Sequence, residues 1–339
     1  MTDSTVNVLT HLRSRTQIDL DSFGLAAARD GGPEGPWTDA TSNPAEVYFQ
    51  LAKEENTDII AQTITICRDI QGRYAGVTLP ELRVEVATVL LALRVIPYIT
   101  GAVHVMVNPC HAFSTTKVIQ TGLRYHDIFQ HIDPRVDLSR VVIKAPATFE
   151  GLKACHALRT QEIQTLATTV FTIEQAILAG EAGCVSISPF VHELKAGFDP
   201  TYKDHGPLLD LCVQAQEYYR QHSNATRVKA CSCLSVEEIL QLSGVAAHTI
   251  PPEDLDTLAA MNETVAWLES RSLFPIAAST KELQQQVRRS YIEDEAGYRV
   301  HFAASDGGGG QRRLYQALAI FADFQHKVEL LVGESKGRL

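Results

Sequence analysis

The sequence predicts an α/β fold: a single (β/α)8 barrel of the TIM type, with extra helices at its N- and C-terminal ends. Three observations predict it. The chain has 339 residues, 45% of them hydrophobic, enough for one barrel of roughly 250 residues with additions. Short β-branched or apolar runs alternate with longer stretches of helical period, as βα units around a parallel sheet require. About eight such runs can be counted, the number that closes a barrel.

In order, the predicted strands are Thr16 to Asp21, a short one near Trp37 to Thr41, Tyr98 to Val107, Val141 to Ala145, Thr165 to Phe171, Cys184 to Ser188, Arg227 to Ser232 and Ala246 to Ile250. Amphipathic segments lie between them, from Pro44 to Glu55, Leu79 to Arg94, Thr115 to Gln130, Phe149 to Leu158, Leu208 to His222, Val236 to Leu242 and Pro252 to Leu268. The second is apolar at Leu82, Val84, Val86, Val89, Leu90 and Leu93, a stripe that would face the sheet. A last helix, about 311–333, is expected to pack on the barrel, so that 1–339 forms one domain. Asp306 and the four glycines behind it read as a flexible linker into that helix, since they lack both phosphate-loop and dinucleotide-loop spacing.

The formal charge of −10 argues against nucleic acid as a partner. No apolar run is long enough to span a membrane and the first 20 residues lack a signal-peptide core, so a cytoplasmic protein is expected. Seven scattered cysteines, an odd number, read as reduced buried thiols. Cys231 and Cys233 form C-x-C, not a paired zinc signature, and no metal or cofactor is expected. The sequons at Asn224 and Asn262 carry no weight in such a compartment.

In a parallel barrel the chemistry sits at the C-terminal ends of the strands. Asp21, Asn43, Lys144 and Thr168 all fall at or just beyond such ends. A lysine inside a β-branched strand loses hydration, which lowers its pKa and leaves a neutral amine able to add to a ketone or aldehyde. The other reading of Lys144 is a core lysine paired with Asp19 or Asp21.

The segment from Arg140 to Ala154, with Ile143-Lys144-Ala-Pro followed by Glu150-Gly151, resembles the Schiff-base lysine segment of transaldolases. Thr38-Asp-Ala-Thr-Ser-Asn-Pro44 is similar to that family's D-A-T-T-N-P loop, Leu20-Asp-Ser22 to its first-strand aspartate, and Glu181-Ala-Gly183 with Ile187-Ser-Pro-Phe-Val191 to its E-A-G and I-S-P-F-V segments. The resemblance covers nearly the whole chain. It implies a barrel enzyme in which Lys144 forms the imine, Asp21 transfers protons, Asn43 anchors a substrate hydroxyl, Thr168 helps hold a catalytic water, and Ser188 and Phe190 wall the pocket. It also implies a small carbonyl substrate and a possible homodimer.

The departures from the family's pattern are informative. Where its third strand carries glutamate this chain has Met106, and where its fifth carries asparagine it has Leu166. The two arginines that grip a sugar phosphate are missing: His192-Glu193 follows Val191, and Leu234 follows Cys231-Ser232-Cys233. Met106, Leu166 and Ser232 are therefore expected to line the substrate pocket. Lys195 or Lys229 would have to supply any phosphate cation. A carboxylate at 193 would repel one.

His104, His111 and His192 could replace the missing acid–base group. His104 ranks first, because it lies two residues before Met106 and shares its face. The leading expectation is thus a Schiff-base enzyme making or breaking a C–C bond on an unphosphorylated substrate in a specialised biosynthetic pathway. An ordinary transaldolase and an inactive barrel with a binding role remain as alternatives.

Overall fold

The computed structural model describes residues 4–274 and 286–333. The predicted runs become eight parallel strands joined in sequence order into a closed barrel. These are β1 (Gln17–Leu20), β2 (Ala40–Thr41), β3 (Val103–Met106), β4 (Val141–Pro146), β5 (Gln164–Val170), β6 (Ser186–Pro189), β7 (Arg227–Ala230) and β8 (Ala247–Ile250). β1 closes the ring on β8, with Gln17 opposite Ala247 and Leu20 opposite Ile250. The fold is a (β/α)8 barrel with added helices.

β3 is shorter than its apolar run. Pro97 cannot donate to a ladder, and the segment Ile96–Tyr98 forms a 3-10 turn before the strand begins. The helices start where the sequence supplies caps. Thr78 and Glu81 bond reciprocally at the start of Leu79–Val95, and Thr172 and Gln175 do so at the start of Ile173–Ala182.

The single helix expected from Pro252 to Leu268 is two helices, Pro252–Ala260 and Val265–Arg271. Between them Asn262–Thr264 pairs antiparallel with Thr5–Asn7. The Asn7 amide donates to the carbonyls of Ala259 (2.8 Å) and Met261 (3.2 Å), ending the first helix, and Thr264 caps the second through the N–H of Trp267. An N-terminal helix, Val8–Arg15, packs beside this ribbon.

The glycine run is not a free linker. Ser305–Gly308 forms a turn, with Asp306 and Gly307 in left-handed conformations, and Gly309 already begins the last helix, Gly309–Gly333. A Cβ on Gly310 would lie 2.2 Å from the Thr172 methyl, so only glycine lets the helix approach the end of β5 this closely. From there the helix crosses the barrel mouth, and Phe321 packs edge-on against Phe190 at 6.4 Å.

All seven cysteines are free thiols; Cys110 is exposed and Cys233 half-buried, so burial is not general among them. Among the described residues no helix is long and apolar enough to cross a membrane.

Candidate active site

Pleat alternation arranges the barrel interior in layers. Met106 and Leu166 are the register partners of Lys144 on β3 and β5. Lys144, 4% exposed, is therefore flanked on both neighbouring strands by apolar side chains that are themselves buried. Burial holds its amine below the usual lysine range, with Asp21 opposing the shift. Its Nζ donates to Thr41 Oγ1 (3.2 Å) and to the Ser42 carbonyl (3.3 Å). Among the described residues no carboxylate lies within 4.0 Å of it, so the core ion pair with Asp19 or Asp21 does not form.

Asp21 follows β1, its N–H bonded to the Ile250 carbonyl across the barrel closure. Burial raises its carboxyl to about 6; Lys144 pulls it down, while Glu46 and Glu253 push it up. A carboxyl that is part acid and part base near neutrality suits proton transfer. Asn43 uses its side-chain oxygen to cap the helix Pro44–Leu51, accepting from Ala45 (2.9 Å) and Glu46 (3.0 Å). That role leaves the Asn43 amide N–H groups as the donors available to a ligand.

Thr168, fully buried, has a hydroxyl with no hydrogen-bond partner. β5 bulges at this point: its register with β6 shifts between Ala167 and Val170, and Thr169 has φ +58°. A β-branched residue in the left-handed region is strained. Gln175 pins the distortion, donating to the carbonyls of Ala147 and Thr169 and accepting from the N–H groups of Phe171 and Thr172. Ser232, after β7, is also left-handed at φ +60°, so unusual backbone marks both strand ends. Ser188 and Phe190 are buried at the end of β6.

His104 is placed one layer below the lysine. Its register partner on β4 is Val142, and its Nε2 lies 3.4 Å from Asp39 Oδ2. Burial and the nearby Lys229 ammonium hold its imidazole below the usual range. The same layer contains a buried ion network that sequence reasoning missed. Lys229 donates to both Asp19 and Asp39, at 2.7 Å to the latter. His111 lies elsewhere, paired with Glu81 at 3.1 Å.

At the ends of β6 and β7, His192 bridges Asp204 (3.2 Å) and Glu238 (2.8 Å). These carboxylates raise its pKa against the effect of burial. Glu193 does not present a bare charge to the mouth. It accepts from Arg312 (2.8 Å), Tyr202 (2.6 Å) and Gln316 (2.8 Å), two of them on the C-terminal helix. Leu234 is half exposed. Neither spare lysine is a free phosphate cation: Lys195 sits 3.6 Å from Asp199 and over the Tyr202 ring, and Lys229 is committed to its aspartates.

The site thus combines a buried lysine amine with a buried carboxyl at the C-terminal face of a parallel barrel, the face at which barrel enzymes carry their chemistry. Comparison with known proteins places the chain more narrowly. The family model for Transaldolase/Fructose-6-phosphate aldolase matches residues 18–300, and the chain belongs to that family. A transaldolase from Prochlorococcus marinus is 26% identical over 282 residues, covering 81% of this chain and 82% of that protein.

Proposed function

We propose that the chain is a Schiff-base enzyme that makes or breaks a C–C bond beside the carbonyl of an unphosphorylated substrate, with Lys144 as the imine-forming amine. The observation that carries this reading is the burial of Lys144 between Met106 and Leu166, without a carboxylate partner, at the functional end of the barrel. Such an amine is a nucleophile near neutral pH, whereas an exposed lysine is almost wholly protonated.

The Lys144 amine adds to the substrate carbonyl, and the carbinolamine loses water to give an iminium ion. Asp21 takes the proton of the hydroxyl on the β-carbon, the Cα–Cβ bond breaks, the β fragment leaves as an aldehyde, and the bonding pair moves toward the iminium to leave an enamine. The enamine then takes up a proton or attacks an acceptor aldehyde, and water hydrolyses the resulting imine to free the amine. Asp21 is the proton-transfer group in this scheme. The unpartnered hydroxyl of Thr168 supports a role in holding the water. His104 pairs with Asp39 a layer below, so this reading gives it no contact with substrate.

Absence of the phosphate grip supports the unphosphorylated substrate. The two positions where the family carries its phosphate arginines hold Glu193, which takes up Arg312, and Leu234. The test is borohydride reduction of the protein with a panel of ketones and sugars, followed by peptide mass analysis. A reduced adduct on Lys144 is expected, and Lys144→Met should fold and give none. Failure to trap any carbonyl would overturn the Schiff base. Saturable transfer between fructose 6-phosphate and erythrose 4-phosphate would instead establish the ordinary sugar-phosphate reaction.

A further inference from the structure

Gln175 is fully buried on the helix Ile173–Ala182, and its side chain spends every hydrogen-bonding group on backbone. Its Oε1 accepts from the N–H groups of Phe171 (2.7 Å) and Thr172 (3.1 Å), and its Nε2 donates to the carbonyls of Ala147 (2.8 Å) and Thr169 (3.2 Å). The first pair belongs to the capping of the helix, for which a glutamate serves as well as a glutamine. The second pair needs a donor, which the amide supplies and a carboxylate does not. Capping alone therefore does not account for the residue.

The two carbonyls belong to the strands that carry Lys144 and Thr168. Ala147 follows β4 directly, and Thr169 follows Thr168 on β5. Thr168 is the register partner of Pro146, as Leu166 is of Lys144, so its side chain shares the face of the amine one pleat nearer the mouth. Beyond it, the stretch Ala167 to Val170 on β5 lies against Ile187 to Pro189 on β6, one residue more than the partner strand has. Thr169 takes up the surplus residue at φ +58°. The pleat shifts by one, so that Phe171 meets the Phe190 ring at 5.6 Å. A β-branched residue favours extended backbone. The Gln175 amide holds Thr169 bent by its carbonyl and anchors the same point to the end of β4.

We propose that Gln175 is a positioning residue for the steps that move water at Lys144, setting the Thr168 hydroxyl relative to the amine by tying the ends of β4 and β5 to one side chain. The inference rests on the Schiff-base reading. Water leaves the carbinolamine and returns to the iminium, and these are the two steps in which Thr168 takes part. Gln175 acts on them through Thr168, without touching substrate.

The test uses the full chain and follows the loss of ¹⁸O from carbonyl-labelled hydroxyacetone in ordinary water. Addition of the amine, departure of labelled water and hydrolysis by unlabelled water exchange the oxygen without breaking a C–C bond. Thr168→Val should slow this exchange by about tenfold to a hundredfold with an unchanged KM, the scale of a misplaced reacting group. Gln175→Glu keeps the capping acceptors and, while protonated, can still donate to one carbonyl, whereas its ionised form repels both. All four partners of the side chain are backbone groups, so none of them titrates. The rate of Gln175→Glu relative to the parent should therefore fall about tenfold from about pH 5 to about pH 8, while the Thr168→Val ratio stays flat. The double variant should be no slower than Thr168→Val alone. Thr169→Gly adopts the left-handed conformation freely, so adding it to Gln175→Glu should restore part of the rate, and it carries the same comparison if the ionised single variant unfolds. Losses that add, a ratio indifferent to pH, or no recovery with Thr169→Gly would each overturn the positioning role. A parent giving neither exchange nor a borohydride adduct would instead remove the Schiff base, and the inference with it.

Discussion

Replacing Met106 with glutamate would return to β3 the residue type that the transaldolase pattern carries there, and would place a carboxylate in direct register with Lys144. Neighbouring strands lie about 4.8 Å apart, so the new charge would come within roughly 5 Å of the amine. At an effective dielectric of about 20 the attraction is about 3 kcal/mol, or about 2 pKa units. Desolvation of the carboxylate between apolar neighbours takes back part of this, leaving an expected upward shift of about one unit in the Lys144 pKa. The assay is the rate of borohydride trapping of a simple ketone as a function of pH, where the midpoint reports the fraction of free amine. Met106→Glu should move that midpoint up by about one unit, and Leu166→Glu, in register on the other side, should move it the same way. An unmoved or lowered midpoint in Met106→Glu would refute the claim that the apolar flanks free the amine.

The Asp21 carboxyl, raised to about 6 from an ordinary 3.8, binds its proton more tightly folded than unfolded. Its stabilising contribution is thus present below about pH 4 and lost as pH rises through about 6. Asp21→Asn should accordingly melt higher than the parent at pH 8 and equally at pH 4, while turnover falls by about 10²- to 10⁴-fold, the usual worth of a proton-transfer group; a melting difference that grows toward acid pH would contradict the assignment. Lys229→Met strands the fully buried Asp19 and removes one partner of the half-buried Asp39, and should destabilise the fold by roughly 3–5 kcal/mol in denaturant titrations. A loss under about 1 kcal/mol would show that the network is not a dry ion cluster. Gly310→Ala places a methyl against Thr172, so the C-terminal helix must lift, and the melting temperature should drop by several degrees.

The barrel itself was legible because its strands are compact β-branched runs, and all eight emerged with boundaries shifted by a few residues. Several helices were not found from their pattern. Thr57–Ile70 buries Ile59, Thr63, Cys67 and Ile70, a helical spacing masked by a composition rich in threonine and isoleucine. Ile173–Ala182, also missed, opens on a Thr172 and Gln175 capping box, a signal that was present in the sequence. The position of Lys144 and Asp21 followed from strand ends, as barrel geometry requires. What stayed hidden were pairings made only by folding: Lys229 meets Asp19 across 210 residues, and Arg312 reaches Glu193 across 119. His104 shares a face with Met106, as the two-residue spacing requires. Spacing cannot say that it is spent on Asp39 a layer below, because that depends on the loop that brings β2 alongside β3.

These pairings bear on how the amine of Lys144 is kept free. A lysine in a barrel can be activated by burial alone, or by a second cation nearby that makes protonation costly. Here both apply, since Met106 and Leu166 exclude water from its own layer while Lys229 occupies the layer beneath. Lys229 can remain charged there only because Asp19 and Asp39 flank it, and both hold it above the ordinary lysine range against the effect of burial. Lys229, Asp19 and Asp39 together carry a net negative charge, yet Lys229 still disfavours a second ammonium above it. It follows that removing Lys229 and removing its two aspartates should act oppositely on Lys144. Lys229→Met should raise the pH midpoint of imine trapping, whereas Asp19→Asn, by unbalancing the cation, should lower it. A common shift in the two variants would mean that the lower layer acts by packing alone.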